Sequence, residues 1–357
     1  MDNKLFNFRV RFPEDVANFL ILDSVNVEYF TGFSGAVAFL VPRDGECVLY
    51  VSGTNFEQAR HEVKNVRVEL LRRGERLFDR VGCDVEVSVC AKLAVDVLSF
   101  EGWRFLVKVL GDDGCVVVLG DVVVGLRAVK LSEEVALIGE ACRLADVGMG
   151  VACEVVGSGV SELEVAAEVE YAMRKRGSCG VAFNTIVVSG AVGAFPHGAC
   201  GCRFIKEGDL VVVDLGAVVG GYRSDITRTF VVGRASGRQR KLFDVVREAQ
   251  SLAIDAMHAG VGAANVDVLA REFIGDAGFG GYFVHNLGHG VGLAIHEAPV
   301  LGPVSADVLA VGNVVTVEPG IYIVGFGGIR VEDTVLVTDN GVKKLTKTPY
   351  TFELAKF

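Results

Sequence analysis

No run of this chain approaches the roughly 20 consecutive apolar residues needed to span a bilayer. The longest valine-rich stretch, Cys115 to Leu126, is interrupted by Asp121. A membrane partner is therefore not expected. A long basic run is also missing, and the formal net charge is -10 at pH 7, so nucleic acid is a poor partner. The opening MDNKLFNFRVRFPEDV is charged and broken, unlike a secretory signal. No disulfide framework can be read from the nine scattered cysteines. An odd count in a chain of this size points to reduced thiols and a cytoplasmic protein. Cys200 and Cys202 form a C-x-C pair that could serve an accessory metal or redox role. The simpler reading is small residues packed in a glycine-rich loop.

What is present is apolar and rich in glycine. Of 357 residues, 51% are hydrophobic and 22% charged, enough for a large core divided between two domains. The expected division is residues 1–125 and 126–357. The first part alternates short helical and strand patterns, an α/β signature, with no phosphate-binding loop. Glu14 to Asp23 and Val87 to Leu98 read as helices. Val37 to Val41, Cys47 to Val51 and Cys115 to Val124 read as strands. Longer amphipathic helices then begin. One is capped by Ser132 and carries Val135, Ile138, Cys142, Ala145 and Met149 on one face. The next has a capping box at Ser161 and Glu164, cations at Arg174, Lys175 and Arg176, and a stop at Gly177. Strands follow at Phe183 to Val188, Leu210 to Ala217 and Asp225 to Val232. The order then repeats: helices at Lys241 to His258 and Val266 to Ile274, strands at Asn313 to Val317 and Gly328 to Thr338. A unit of two helices and several strands is thus written twice, which predicts an α+β domain with a pseudo-twofold repeat.

Five residues on or beside those strands have the spacing of ligands to two metals: Asp214, Asp225, His289, Glu318 and Glu332. Taken singly, each has a plain alternative. Asp214 can face a turn, Asp225 can pair with Arg223 or Arg228, Glu318 can end a strand before Pro319-Gly320, and Glu332 can pair with Arg330. Together they are harder to explain, because four carboxylates and an imidazole are costly to bury bare in apolar sequence. Two divalent cations would balance the four negative charges. The chain has only six histidines, and His285, His289 and His296 crowd one short glycine-rich window. His197 sits in Ala194-Phe195-Pro196-His197-Gly198. Glycine lets backbone and ligand approach closely, so this window suits a binding site.

These motifs, in this order, resemble the pita-bread metallopeptidases, the group of methionine aminopeptidase, Xaa-Pro aminopeptidase and Xaa-Pro dipeptidase (prolidase). The resemblance covers about Lys130 to Tyr350. A weaker similarity at Tyr29-Phe30-Thr31-Gly32-Phe33-Ser34-Gly35 extends it to the creatinase-like N-terminal α/β domain of the proline-specific members. The family pattern implies that Asp214 holds one cation, that His289 and Glu318 hold the other, and that Asp225 and Glu332 bridge them. Oxygen-rich ligation suits manganese, cobalt or iron(II), with zinc also allowed. Thr227 and Arg330 would support the ligands from outside. The implied reaction is hydrolysis of the bond before proline, with Glu318 relaying a proton and His197, His285 and His296 contacting the substrate. A homodimer is implied as well.

The resemblance to prolidases also implies an arginine shortly after the His-Glu pair, to grip the dipeptide's carboxylate. Here His296-Glu297-Ala298-Pro299 is followed by Val300, with no arginine before Arg330. The compact first domain nevertheless favours the dipeptidase. Aminopeptidase action on longer peptides is the alternative, and a metal-free binding module the remote one.

Overall fold

The computed structural model describes residues 2–354 apart from residues 86, 89 and 90. The chain divides into two compact units, Met1–Arg127 and Ala128–Phe357. Among the described residues, no helix is long and apolar enough to cross a membrane.

The first unit is built on one sheet of β1 (Val16–Ile21), β2 (Ala36–Pro42), β3 (Val48–Ser52), β4 (Arg67–Leu71), β5 (Lys92–Val95) and β6 (Val116–Val118), in the order β4-β3-β2-β1-β5-β6. Its helices are α1 (Asp2–Arg9), α2 (Ser24–Thr31), α3 (Phe56–Glu62), α4 (Leu77–Asp84), α5 (Phe100–Leu110) and α6 (Gly120–Ala128). Phe8 of α1 anchors one face, its ring 4.8 Å from those of Phe19 and Phe30 and 5.0 Å from that of Phe12. Such pairs add about 0.5–1.5 kcal/mol each beyond their burial.

Three expectations for this unit fail for one reason. Glu14 to Asp23 holds strand β1 instead of a helix. Val87 to Leu98 holds strand β5, with residues 89 and 90 outside the described set. In Cys115 to Val124 the strand ends at Val118 and α6 begins at Gly120. Short apolar runs carry no period that separates a buried strand from a buried helix. Position in the sheet decides instead: Phe19, Leu20 and Ile21 are all fully buried between β2 and β5. Asp23 turns out to cap the following helix, accepting from the amides of Val25 and Asn26 at 3.0 Å.

The second unit repeats one plan. In its first half α7 (Ser132–Val155) and α8 (Glu162–Lys175) precede a sheet ordered β19-β11-β8-β7, made of β7 (Ile186–Ser189), β8 (Leu210–Leu215), β11 (Ile226–Val232) and the late strand β19 (Glu353–Leu354). The small ribbon of β9 (Val218–Val219) and β10 (Tyr222–Arg223) lies between β8 and β11 in sequence. In the second half α9 (Gly237–Asp255) and α10 (Ala263–Asp276) precede a sheet ordered β13-β12-β14-β17-β18. Its strands are β12 (Gly288–Gly290), β13 (Glu297–Leu301), β14 (Val314–Val317), β17 (Asp333–Thr338) and β18 (Gly341–Lys344), and a hairpin of β15 (Gly320–Ile323) and β16 (Gly327–Arg330) is inserted. Ser161 and Glu164 form the expected capping box of α8. Helix α7 is capped one residue earlier than expected, by the Glu134 carboxylate on the amide of Leu131 at 2.8 Å. Each half has its own buried apolar cluster.

Gly328 to Thr338 is not one strand. The chain leaves β16 after Arg330 and enters β17 at Asp333. The break at Val331 and Glu332 stitches the halves together: the amide of Glu332 donates to the carbonyl of Thr227 at 3.1 Å.

Candidate functional site

Register brings the acids together. Asp214 lies opposite Thr227 in the antiparallel pair β8–β11. Asp225 immediately precedes β11, so it shares a face with Thr227 and Thr229 by strand alternation. In the other half Val317 pairs with Asp333, so Glu318 and Glu332 extend from adjacent strand ends. His289 is the middle residue of β12, between two glycines that have no room for a side chain. A Cβ at Gly288 would lie 2.1 Å from the Thr316 carbonyl, and one at Gly290 2.2 Å from that of Ala298.

All five candidate ligands line one cavity of about 500 Å³, together with His197, His285, His296 and Arg330. Asp225, His289 and Glu332 each offer an atom within 4.8 Å of the others. His289 Nε2 is 3.4 Å from Glu318 Oε1 and 3.7 Å from Asp225 Oδ2. His289 Nδ1 meets the Gly290 carbonyl at 3.1 Å, which assigns the ring proton to Nδ1 and leaves the Nε2 lone pair facing the acids.

The cluster is short of cations. Arg330 is paired with Asp214 at 2.6 Å and gives further hydrogen bonds to Thr227, Tyr322 and the Pro196 carbonyl. It reaches Glu332 only through Thr227, whose hydroxyl donates to Glu332 Oε2 at 2.7 Å. Asp214 Oδ1, Asp225 Oδ1 and Glu332 Oε1 are buried with no hydrogen-bond partner. Asp225 and Glu332, each with one unpaired oxygen, gather with His289 within 4.8 Å, and Asp214, with a third, lines the same cavity. Unpaired anionic oxygens beside an imidazole lone pair are the electrostatic shape of a cation site. The residues present therefore fit bound divalent metal.

Titration tells the same story. Burial pushes the Asp225 carboxyl well above the usual range, and Glu332, Asp214 and Glu318 push it further. Glu332 is raised by burial, then by Glu318 and Asp214. Glu318 is raised to about 8, chiefly by burial. Burial, then the neighbouring His296, lowers His289 to about 4, so its imidazole is neutral at pH 7.

The histidines differ in freedom. His197 and His296 are exposed to the cavity, and His296 packs edge-on to His289 with ring centroids 4.3 Å apart. His285 has both nitrogens engaged, Nδ1 with the Asn286 carbonyl at 2.7 Å and Nε2 with the Tyr322 hydroxyl at 3.0 Å. Tyr322 thus joins His285 to Arg330, a link that reading the sequence missed. Its only sequence signal was a tyrosine in an apolar strand, where a polar tip needs a partner. The C-x-C pair has no part in the site. The Cys200 thiol is bound at the loop base by the Val187 amide and the Thr185 carbonyl, and Cys202 is exposed.

Duplicated halves closing on an acid-lined cavity define the class: a pita-bread fold that follows, in sequence, a separate α/β domain. The model of metallopeptidase family M24 matches residues 136–339, and that of the creatinase/prolidase N-terminal domain matches residues 14–129. The chain belongs to metallopeptidase family M24 and is a metal-dependent hydrolase. It is 41% identical over 329 residues to a Xaa-Pro dipeptidase of Pyrococcus furiosus, covering 92% of each chain. Among solved structures, a Xaa-Pro dipeptidase from Bacillus anthracis superposes with TM-score 0.90 at 33% identity, over 99% of both chains. An X-Pro aminopeptidase from Thermotoga maritima gives TM-score 0.83 at 34% identity, over 94% of this chain and 97% of that one.

Proposed function

We propose that this protein hydrolyses the bond between an N-terminal residue and a following proline, acting on Xaa-Pro dipeptides. The observation that carries the reading is the set of orphaned oxygens on Asp225 and Glu332, grouped with His289, and on Asp214 in the same cavity. With Glu318, these side chains would hold two divalent cations. The oxygen-rich donor set favours manganese, cobalt or iron(II) over zinc. Bound cations supply Lewis acidity, acidifying a water and polarising the scissile carbonyl. Glu318 stands at the cavity edge of the cluster, where a carboxylate can carry a proton from the attacking water to the proline nitrogen. That nitrogen has no N–H in the peptide, so it cannot be aligned by backbone pairing and must be held by shape. Phe183, Ile186, Ile295 and Val300 supply apolar wall for the ring. His197 and His296 face the cavity as donors to the scissile carbonyl. His285 supports them indirectly, orienting Tyr322 and through it Arg330. The reading includes a homodimer and a cytoplasmic location, both carried over from the family resemblance.

A second reading has an observation of its own. Arg330 is the one guanidinium in the described lining, and it is committed to Asp214, Thr227, Tyr322 and Pro196. A dipeptide's free carboxylate gains little from it, which favours Xaa-Pro-Yaa peptides that continue past the ring. A panel of Xaa-Pro dipeptides and Xaa-Pro-Yaa tripeptides, assayed with Mn(II) and Co(II), separates the two. Dipeptide turnover matching or exceeding that of tripeptides supports the dipeptidase. Cleavage of tripeptides alone ends it.

A further inference from the structure

Glu162 is the first residue of α8, is 2% exposed, and lies outside the cavity lining. Its carboxylate is spent on the two ends of one loop. Oε1 accepts from the Ser189 amide at 2.8 Å and the Ser189 hydroxyl at 2.6 Å. Oε2 accepts from the Gly201 amide at 3.0 Å. Behind it Arg203 donates to the Ser189 hydroxyl and pairs with Asp209 at 2.7 Å. The segment between those ends, residues 190–200, carries His197 into the cavity.

The rest of the loop is seated closely. Its backbone at Gly193 touches β16, where a Cβ at Gly328 would fall 2.0 Å from the Gly193 carbonyl. Arg330 holds the Pro196 carbonyl at 3.2 Å, one residue before His197. A neutral amide could not replace the carboxylate at the loop base. Glutamine has one acceptor oxygen, enough for Ser189 or Gly201 but not both. The second half repeats the device. Asp267 of α10, fully buried, accepts from the Leu287 amide at 2.9 Å and from Arg271 at 2.7 and 2.8 Å. Arg271 in turn holds the carbonyls of Phe283 and His285 at 2.9 and 2.7 Å. In each half the second helix grips a segment bearing one cavity histidine.

We propose that Glu162 is a positioning residue for His197. It closes the 190–200 loop at both ends and so sets where the imidazole meets the substrate. The proposal rests on the role given to His197 above. Its test is a double-mutant cycle on the full-length, metal-loaded protein, using the best substrate of the peptide panel, with amide hydrogen exchange of segment 190–200 measured in parallel. Glu162→Gln is expected to speed exchange in that segment and lower kcat/KM about tenfold, short of the roughly hundredfold that a 1 Å misplacement can cost. Glu162→Gln combined with His197→Ala is expected to be no worse than His197→Ala alone. Equal losses from Glu162→Gln in both backgrounds, or unchanged exchange in the loop, overturn the proposal. Full activity of His197→Ala overturns the role of His197 and the proposal with it. Full activity of Glu162→Gln beside a crippled His197→Ala overturns the proposal alone. Should Glu162→Gln not fold, Ser189→Ala removes one bond to the same carboxylate and must show the same non-additivity on a smaller scale.

Discussion

Glu332 and Asp333 are adjacent in sequence and equally buried, each 1% exposed, yet they sit in opposite electrostatic worlds. Asp333 is saturated. Arg228 pairs with it at 2.9 Å, Thr346 and Gln250 donate at 2.9 and 3.1 Å, and the Tyr350 hydroxyl closes the shell. Glu332 faces the other way, receives one hydrogen bond from Thr227, and keeps Oε1 without a partner. A buried carboxylate that serves the fold is surrounded by donors. One that would hold a cation, as proposed for Glu332, is left short of them, at a cost that bound counter-charge would offset.

The sharpest break of this comparison is to neutralise each acid in turn. Asp333→Asn is expected to lower stability by about 3–5 kcal/mol, because Arg228 is left buried and uncompensated. Glu332→Gln is expected to leave the metal-free melting temperature unchanged or higher, while kcat/KM and metal content fall by at least about 100-fold, beyond what loss of an outer partner produces. Thermal melts and metal analysis of the two variants decide it. Equal destabilisation by both would remove the distinction between the two carboxylates.

A smaller effect follows from pH. The folded-state pKa values of Asp225, Glu318 and Glu332 lie above those of an unfolded chain, Glu318 at about 8. A raised carboxyl contributes stability fully below about pH 4 and loses it as pH rises through the folded value. His285 and His289 are lowered to about 4, so their contribution is complete above about pH 6.5 and is lost only as pH falls. Between pH 6.5 and 8 the carboxyls therefore act alone, and the metal-free protein should lose melting temperature across that window. Mn(II) should flatten the loss, giving a larger stabilisation at pH 8 than at pH 6.5. A flat metal-free profile that Mn(II) shifts uniformly would contradict the idea that unpaired acids dominate the cavity's electrostatics.

The smallest effect concerns the single hydrogen bond that Glu332 does receive. Thr227 accepts from Arg330 Nε at 3.1 Å and donates its hydroxyl hydrogen bond to Glu332. Thr227→Val keeps the shape and removes both bonds. It should weaken metal binding by roughly 10–100-fold while costing only about 1 kcal/mol of stability. Calorimetric metal titration against thermal melts separates the two effects. Unaltered affinity would mean that Glu332 needs no help in holding its orientation.

Legibility varied with the kind of signal. The capping box at Ser161 and Glu164 and the duplicated helix–strand order could be read directly, because caps and helical periods are local. The strand at Val16–Ile21 could not, because a doubly buried strand carries no alternation. The candidate ligands stood out by residue type against an apolar background. The engagement of His285 by Tyr322 and the distance of Arg330 from Glu332 did not, since both depend on how β15 and β16 fold back over β8 and β11.

By itself the sequence determined the inventory: four acids on or beside strands and an imidazole in a glycine-rich stretch, too costly to bury without counter-charge. Only the tertiary structure decided which oxygens of those acids stay unpaired. Asp333 and Glu332 have the same chemistry, and Thr227 and Glu332, 105 residues apart, meet only because two sheets register against each other. A carboxylate's role depends on the donors around it, and those donors come from distant parts of the chain.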